Sequence, residues 1–587
     1  MRNFQKFFLI FVLSLFPNTL FAGLDRSTIG PGGFKNDIEV NEIEEIINDT
    51  DVNDESTKSI EGIELKKIDS NSIGILSEDQ GGLNYKMWEG SERKIIKKYL
   101  KNLPINIESN AAITMIKKIL LSSAEVPEES NEQDLILIRI NKLVELGDFE
   151  NAKSLIDIVD INSSNEEILM KKTEINLSLN NFDLVCSDID EKRRSFKKNL
   201  FWRKVEVFCQ ILNNEINRAN LSLALLKEDK NFNDDKFLTI IDSLIYKEEI
   251  DNQTLDELDL LNLAMTRVAN INLKENYNLN AEPLLLSMIY RMPNVPIKLR
   301  IEAIEKSKKL LNIPIDIIEE IYNSYEIEEK DKKISLDDNI LLGYETQAIL
   351  YQMANKEDND ETKAKIIKKS LELSIINGNF SLISKLNLNS LLEIEPSKKL
   401  FWFAHLATKA LLSANKLDEA IEWFEVLEKE KNRNIDVFGN FVELWTIMEF
   451  YNLYNKEINY KKVPQEDILK SIDKFQQQEQ LVSFDTLGFY ILEIFGLKID
   501  PRFWLINLSN QEIENKQLPN SSLISLLKYT SENKRIGETI LLILMALDGK
   551  NFNEFHPFFL QTAISSLNQI ELKENAFDLA IEVLIDR

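Results

Sequence analysis

Three stretches of the chain align without a gap at a spacing of 33 residues: LILIRINKLVELGDFENA (135–152), ILMKKTEINLSLNNFDLV (168–185) and FWRKVEVFCQILNNEINR (201–218). Each begins with an apolar segment that ends in Leu146, Leu179 or Leu212. A pair of turn formers follows, Gly147-Asp148, Asn180-Asn181 or Asn213-Asn214, and then a second amphipathic segment. Apolar residues at helical spacing on both sides of a turn predict a helix-turn-helix hairpin, and a fixed period predicts that the hairpins stack. A single hairpin of this length cannot bury its own apolar face, so neighbours must share a core. The expected fold is therefore all-α, a right-handed α-solenoid of tetratricopeptide-like hairpins.

At 587 residues the chain exceeds what one compact core usually supports, and the repeat favours an extended array over several unrelated domains. Gly 17 and Pro 13 are low for this length, which suits long helical tracts. A net charge of -27 argues against nucleic acid as a partner, because a phosphate backbone demands a basic stripe. The acidity reads first as solubility and second as a face for a basic partner.

The first residues read as a secretory signal peptide, 1–22. Arg2 and Lys6 precede an apolar run at 7–16, and Leu20-Phe21-Ala22 offers a cleavage site after Ala22. The run is too short for a lasting membrane span, and no later segment is long and apolar enough to make one. The expected location is periplasmic or secreted. Residues 23–80 carry fifteen acidic and five basic side chains without sustained periodicity, and are expected to be disordered. Within them Asp49, Asp51, Asn53 and Glu55 alternate as in a calcium loop. Asp54 stands where that loop needs glycine and Ile60 where it needs glutamate, so the match fails.

Order is expected from Gly81. Ser91 can cap a helix that Pro104 ends, with Trp88 packed at its entry. A first helical array is assigned to 81–325, a charged linker to 326–338 (EIEEKDKKISLDD) and a second array to 339–587. In the second array LFWFAHLATKALLSANKLDEAIEWFEVLEKE (400–430) is the most tetratricopeptide-like unit, with Ala404, Ala407 and Ala410 for close approach and Asn415-Lys416 as its turn. The segments GGLNYKMWEGS, LPINIESNAA, ILLSSAEVPE, LFWRKVEVFCQILNN, GYETQAILYQMA and NAFDLAIEVLI resemble a family of secreted alphaproteobacterial helical-repeat proteins, some labelled antifreeze-glycopeptide-like. That resemblance implies a helical protein of the cell envelope and carries no functional residue across.

The chain has two cysteines, Cys186 and Cys209, placed symmetrically about the polar connection between two helices. In an antiparallel hairpin they sit at one height. A disulfide there would be worth roughly 3 kcal/mol in an oxidising compartment, and the alternative is two buried thiols. His405 and His556 lie too far apart in sequence for a zinc pattern. No nucleophile elbow or phosphate loop occurs, and S-x-x-K matches at Ser91 to Lys94 and Ser195 to Lys198 are expected by chance. Phe201-Trp202, Phe401-Trp402 and Phe503-Trp504 each open a predicted helix after basic residues. Such aromatics either line a groove for peptide or glycan or pack between repeats, and the area they bury favours packing.

These readings converge on a non-enzymatic interaction scaffold that binds an envelope protein or extended peptide along a concave face, with no cofactor and no catalytic or metal residue. A glycan-gripping cell-wall accessory or enzyme is the alternative from another class, and a structural envelope component is the third.

Overall fold

In the computed structural model the described residues run from 69 to 586, apart from 106–108, 128–133, 160–164, 193–197, 248–249, 251–254, 281, 308–312, 329–342, 455–459, 481, 483, 485 and 509–515. The expected signal peptide, the acidic segment through residue 68 with its calcium-like run, and most of the linker 326–338 lie outside them.

The described residues are helical, as the periodicity predicts. In chain order the helices are α1 (Arg93–Lys101), α2 (Asn110–Leu121), α3 (Asp134–Glu145), α4 (Phe149–Ile158), α5 (Glu166–Ser178), α6 (Phe182–Lys192), α7 (Leu200–Leu212), α8 (Ile216–Lys227) and α9 (Asp235–Tyr246). They continue with α10 (Leu260–Val268), α11 (Pro283–Arg291), α12 (Ile297–Ser307), α13 (Ile315–Asn323), α14 (Thr346–Lys356), α15 (Asp360–Ile376), α16 (Phe380–Leu386), α17 (Leu388–Leu392) and α18 (Phe401–Ser413). The last are α19 (Leu417–Glu430), α20 (Ile435–Tyr454), α21 (Gln465–Gln477), α22 (Leu487–Ile494), α23 (Pro501–Asn507), α24 (Ser521–Glu532), α25 (Ile536–Leu547), α26 (Pro557–Gln569) and α27 (Lys573–Ile585). Among the described residues β-pairing is confined to two isolated bridges, Leu76 with Ser122 and Gln517 with Phe555.

The three repeat blocks become the hairpins α3–α4, α5–α6 and α7–α8, and one turn chemistry joins each pair. Gly147, Asn180 and Asn214 take left-handed backbone, with φ of 70°, 60° and 60°. The next amide then reaches back to the third-last residue of the helix: Asp148 N–H to Leu143 O, Asn181 N–H to Asn176 O and Glu215 N–H to Gln210 O, each 2.8 Å. This is the Schellman closure, which satisfies the carbonyls a helix end leaves open. It recurs at Asn270, Gly378, Asn415, Glu479, Gly496, Lys534 and Glu571, all at positive φ, with the same back-bond from the residue that follows each. Asn415, the turn read from the sequence of α18–α19, is one of them.

Residues Lys67–Arg587 cluster as one compact unit. α13, which precedes the charged stretch, packs on α14 and α16, which follow it. Contacts also skip along the chain: α5 packs on α10 and α11, and α22 on α26. The last helix, α27, packs on α18, α20 and α2, so both ends of the described chain meet. Phe577 of α27 stacks on Phe450 of α20, with ring centroids 5.0 Å apart.

Order begins earlier than Gly81. Asn71 accepts at its Oδ1 from the amides of Leu135 and Ile136, at 3.0 and 3.1 Å, and so caps α3. Arg139 of α3, buried, donates to the carbonyls of Leu120 (2.7 Å), Ser122 (3.1 Å), Ile73 (2.7 Å) and Asn71 (3.3 Å). A guanidinium that closes the end of α2 and the stretch before Gly74 at once holds residues 69–80 in the fold, so that part of the acidic segment is a built element. Burial pulls Arg139 down to about 10. Helix α1 is preceded by Glu92 at its cap position rather than Ser91, whose Oγ is buried without a hydrogen-bond partner.

A non-glycine residue in left-handed backbone costs roughly 1–2 kcal/mol. Glu479→Gly is expected to stabilise the protein by about 0.5–1 kcal/mol, and Gly147→Val to destabilise it by about 1–2 kcal/mol. Urea midpoints of the two variants check both signs.

Candidate functional site

Three N–H and O–H groups at the start of α2 converge on one carboxylate from the far end of the chain. The Ser109 hydroxyl donates to Glu582 Oε2 at 2.6 Å, the Ala111 amide to the same oxygen at 2.8 Å and the Asn110 amide to Oε1 at 2.5 Å. Ser109 Oγ also accepts from the Ala112 amide at 3.0 Å, as an N-cap residue should. The first turn of a helix carries unpaired amides and the positive end of its dipole, so a carboxylate satisfies both. Burial pushes the Glu582 carboxyl up, while the bonds from Ser109, Ala111 and Asn110 pull against it. One turn further on, Lys118 donates to Asn575 Oδ1 at 3.2 Å.

A second contact joins the same ends. The Gly537 amide donates to Met87 O at 2.9 Å, and a Cβ added at Gly537 would stand 2.2 Å from the Trp88 ring. Trp88 is packed at the entry to α1, and its neighbour there comes from α25.

Beside the Glu582 contact lies a small surface cleft whose enclosed volume is about 30 Å³. Ser109 and Asp586 border it from the two chain ends, Ile375, Gly378 and Phe380 from the α15–α16 turn, and Leu547 with 550–553 from the segment after α25. Its lining includes both apolar and hydrogen-bonding groups. Asn379, between two of its lining residues, keeps a buried Oδ1 without a hydrogen-bond partner.

A charged cluster spans α18 and α20. Lys409 donates to Glu443 Oε1 at 2.9 Å, and His405 Nε2 lies 3.0 Å from Glu443 Oε2. The Lys409 side chain is 4% exposed and that of Glu443 36%. Burial raises the Glu443 carboxyl, but Lys409 and His405 outweigh it and hold the group far below the usual carboxylate range. His405 thus lies within hydrogen-bond distance of the Glu443 carboxylate. His556 caps α26, its Nδ1 accepting from the Phe558 amide at 3.1 Å, with Pro557 at the first helical position.

Cys186 and Cys209 are bonded to each other, with Cα atoms 5.4 Å apart, between α6 and α7. The three Phe-Trp pairs enter the packing between helices. Phe503 is fully buried and stacks on Trp445 at 6.1 Å, while Trp202 is buried and donates from Nε1 to Glu166 Oε1 at 3.1 Å. Phe201, Phe401, Trp402 and Trp504 are half-buried against the same core. Arg433 covers Phe401 at 4.3 Å and Lys368 covers Trp402 at 5.7 Å. The pairs therefore do not share one open aromatic face, because each is taken up by its neighbouring helices.

Sequence reasoning missed Glu582, which lies inside the last apolar helix pattern, and the residues of the cleft. Ser109 followed by Asn-Ala-Ala carries the cap signature. Its partner lies 473 residues away, beyond the reach of any local pattern. Among the described residues no group of three or more His, Cys, Asp and Glu is placed to hold a metal ion, and no helix is long and apolar enough to cross a membrane. No protein family, curated protein or solved structure matches the chain.

Glu582→Gln places an NH2 against amides that need an acceptor, and is expected to cost about 2–3 kcal/mol. Hydrogen exchange should then quicken in α2 and α27 ahead of α7 and α8. Glu443→Gln removes the carboxylate bonded to the buried Lys409, at a cost of about 2 kcal/mol once the exposure of the carboxylate is discounted. A carboxylate whose folded pKa is depressed adds stability above its unfolded value and loses it as the pH falls through the folded one. Thermal melts should show the difference between wild type and Glu443→Gln in full near neutral pH, shrinking as the pH drops below the ordinary glutamate value of 4.5.

Proposed function

We propose that this protein is a non-enzymatic interaction scaffold of the cell envelope, a right-handed array of tetratricopeptide-like hairpins that binds a protein or an extended peptide. The observation that carries the reading is the cleft between the chain ends and the α15–α16 turn. At its rim Ile375 offers apolar contact and Asn551, Asn553 and Lys550 offer hydrogen bonds, the mixture that suits a peptide segment with an apolar side chain. Sugar rings are gripped by indole faces and paired carboxylates. The lining here is of asparagine, lysine, phenylalanine and aliphatic groups, which favours peptide over glycan.

The leader at 1–22 supports export, and the bonded Cys186–Cys209 pair suits an oxidising compartment. The mature protein would then work in the periplasm or beyond it.

Crosslinking in intact cells with the tagged full-length chain tests the proposal. One discrete partner is expected to be captured by wild type and at least about tenfold less by Asn553→Trp, which fills the cleft. In the purified complex, amide exchange at 375–380 and 547–553 should slow. Capture of cell-wall fragments alone, with exchange at the cleft unchanged, would replace this reading with glycan binding.

A further inference from the structure

In a chain of net charge -27, two arginines at adjoining helix ends have no carboxylate partner among the described residues. Arg267 lies in the last turn of α10 and Arg291 in the last turn of α11, and these two helices pack together. The loops that follow are tied by Asn294 Nδ2, which donates to Ile271 O at 2.6 Å. Among the described residues neither guanidinium is paired with a carboxylate. Arg267 Nη1 is buried with no hydrogen-bond partner, and Arg291 makes one bond, to Ser287 Oγ, while lying over the Tyr290 ring at 5.0 Å. A third guanidinium adds to the local positive potential: Arg300 donates from Nε to Tyr290 O at 2.9 Å, and its Nη2 stands 3.9 Å from Glu320.

A buried charged N–H without an acceptor is costly, and two like charges close together add to the cost. Burial and the charge of Arg291 both pull the Arg267 pKa down. The carbonyl ends of the two helices offset only part of this. A guanidinium presents a planar fork that matches two oxygens of one anion, and two forks side by side match it better than any single cation. Both arginines are half-buried, so a solute can reach them while bulk water does not fully satisfy them.

We propose that Arg267 and Arg291 together form a binding site for one oxyanion group, a carboxylate or a phosphate, held between the last turns of α10 and α11. The site is separate from the peptide cleft and does not depend on it.

The test is equilibrium dialysis and calorimetry of the full-length protein in a low-chloride buffer, with sodium phosphate and sodium acetate as separate probes at matched ionic strength. Saturable binding of one anion per chain is expected. Arg267→Gln and Arg291→Gln should each weaken it at least about tenfold, and Arg267→Lys, which keeps the charge without the fork, by a smaller factor. Arg218→Gln, an exposed arginine elsewhere, should leave it unchanged. Binding of phosphate alone assigns a tetrahedral ligand and of acetate alone a carboxylate; either supports the site. No saturable binding of either probe, or equal binding by wild type and Arg267→Gln, overturns it. With no anion present Arg267→Gln should melt at or above wild type, since it relieves a like-charge contact. A clear loss of stability there would make Arg267 a structural residue and overturn the proposal as well.

Discussion

The bond between the Glu582 carboxylate and the first turn of α2 is the constraint on which the tertiary arrangement turns. Hairpins that stack only on their neighbours leave a free helix face at each end, and a capping helix ordinarily hides it behind polar residues. Here the two end faces cover one another: α27 lies on α2, Trp88 lies against Gly537, and Phe577 stacks in the middle of the second half of the chain. Burying a carboxylate is unfavourable unless its oxygens are filled. Glu582 has one hydroxyl and two amides as donors, and those amides would otherwise have been orphaned by the start of the helix. Each group solves the other's desolvation, which makes the contact specific for this one pairing of chain ends.

Between the two ends the turns that close the helices are built alike. Among the described residues ten helices end in the same Schellman turn, with the same back-bond from the residue that follows. The repetition of one turn type across glycine, asparagine, glutamate and lysine shows that tertiary packing imposes the conformation where the residue itself does not favour it.

That contrast marks what was readable in the sequence. Gly147, Asn180 and Asn415 sit in left-handed backbone where turn formers had been read, and Asn214 does so within the pair Asn213-Asn214. Glu479, Lys534 and Glu571 take the same backbone, yet no local preference marks them. Apolar periodicity placed the helices because burial on one face is a property of neighbouring residues. It could not place Arg139, which looks like an ordinary charge on an amphipathic helix until four carbonyls from two other segments surround it. The cysteine pair was legible for the opposite reason: one hairpin fixes the heights of both residues, so spacing alone brought them together.

The same distinction governs the charges. Lys409 and Glu443 sit on different helices, and Arg139 meets carbonyls rather than acids, so buried cations here are matched by whatever negative group the packing brings near. An ion pair is weakly favoured at a surface and strongly enforced once one partner is buried, because the unpaired charge then has no solvent to fall back on. Every deeply buried cation with a described partner obeys that rule, whether the partner is a carboxylate or the carbonyl end of a helix. Arg267 keeps a buried nitrogen with no acceptor among the described residues, although the chain carries many more acids than bases. In a protein with such an excess of carboxylates, a shortage of counter-charges does not explain this arrangement, and the chemistry of the guanidinium fork suits the oxyanion site proposed above.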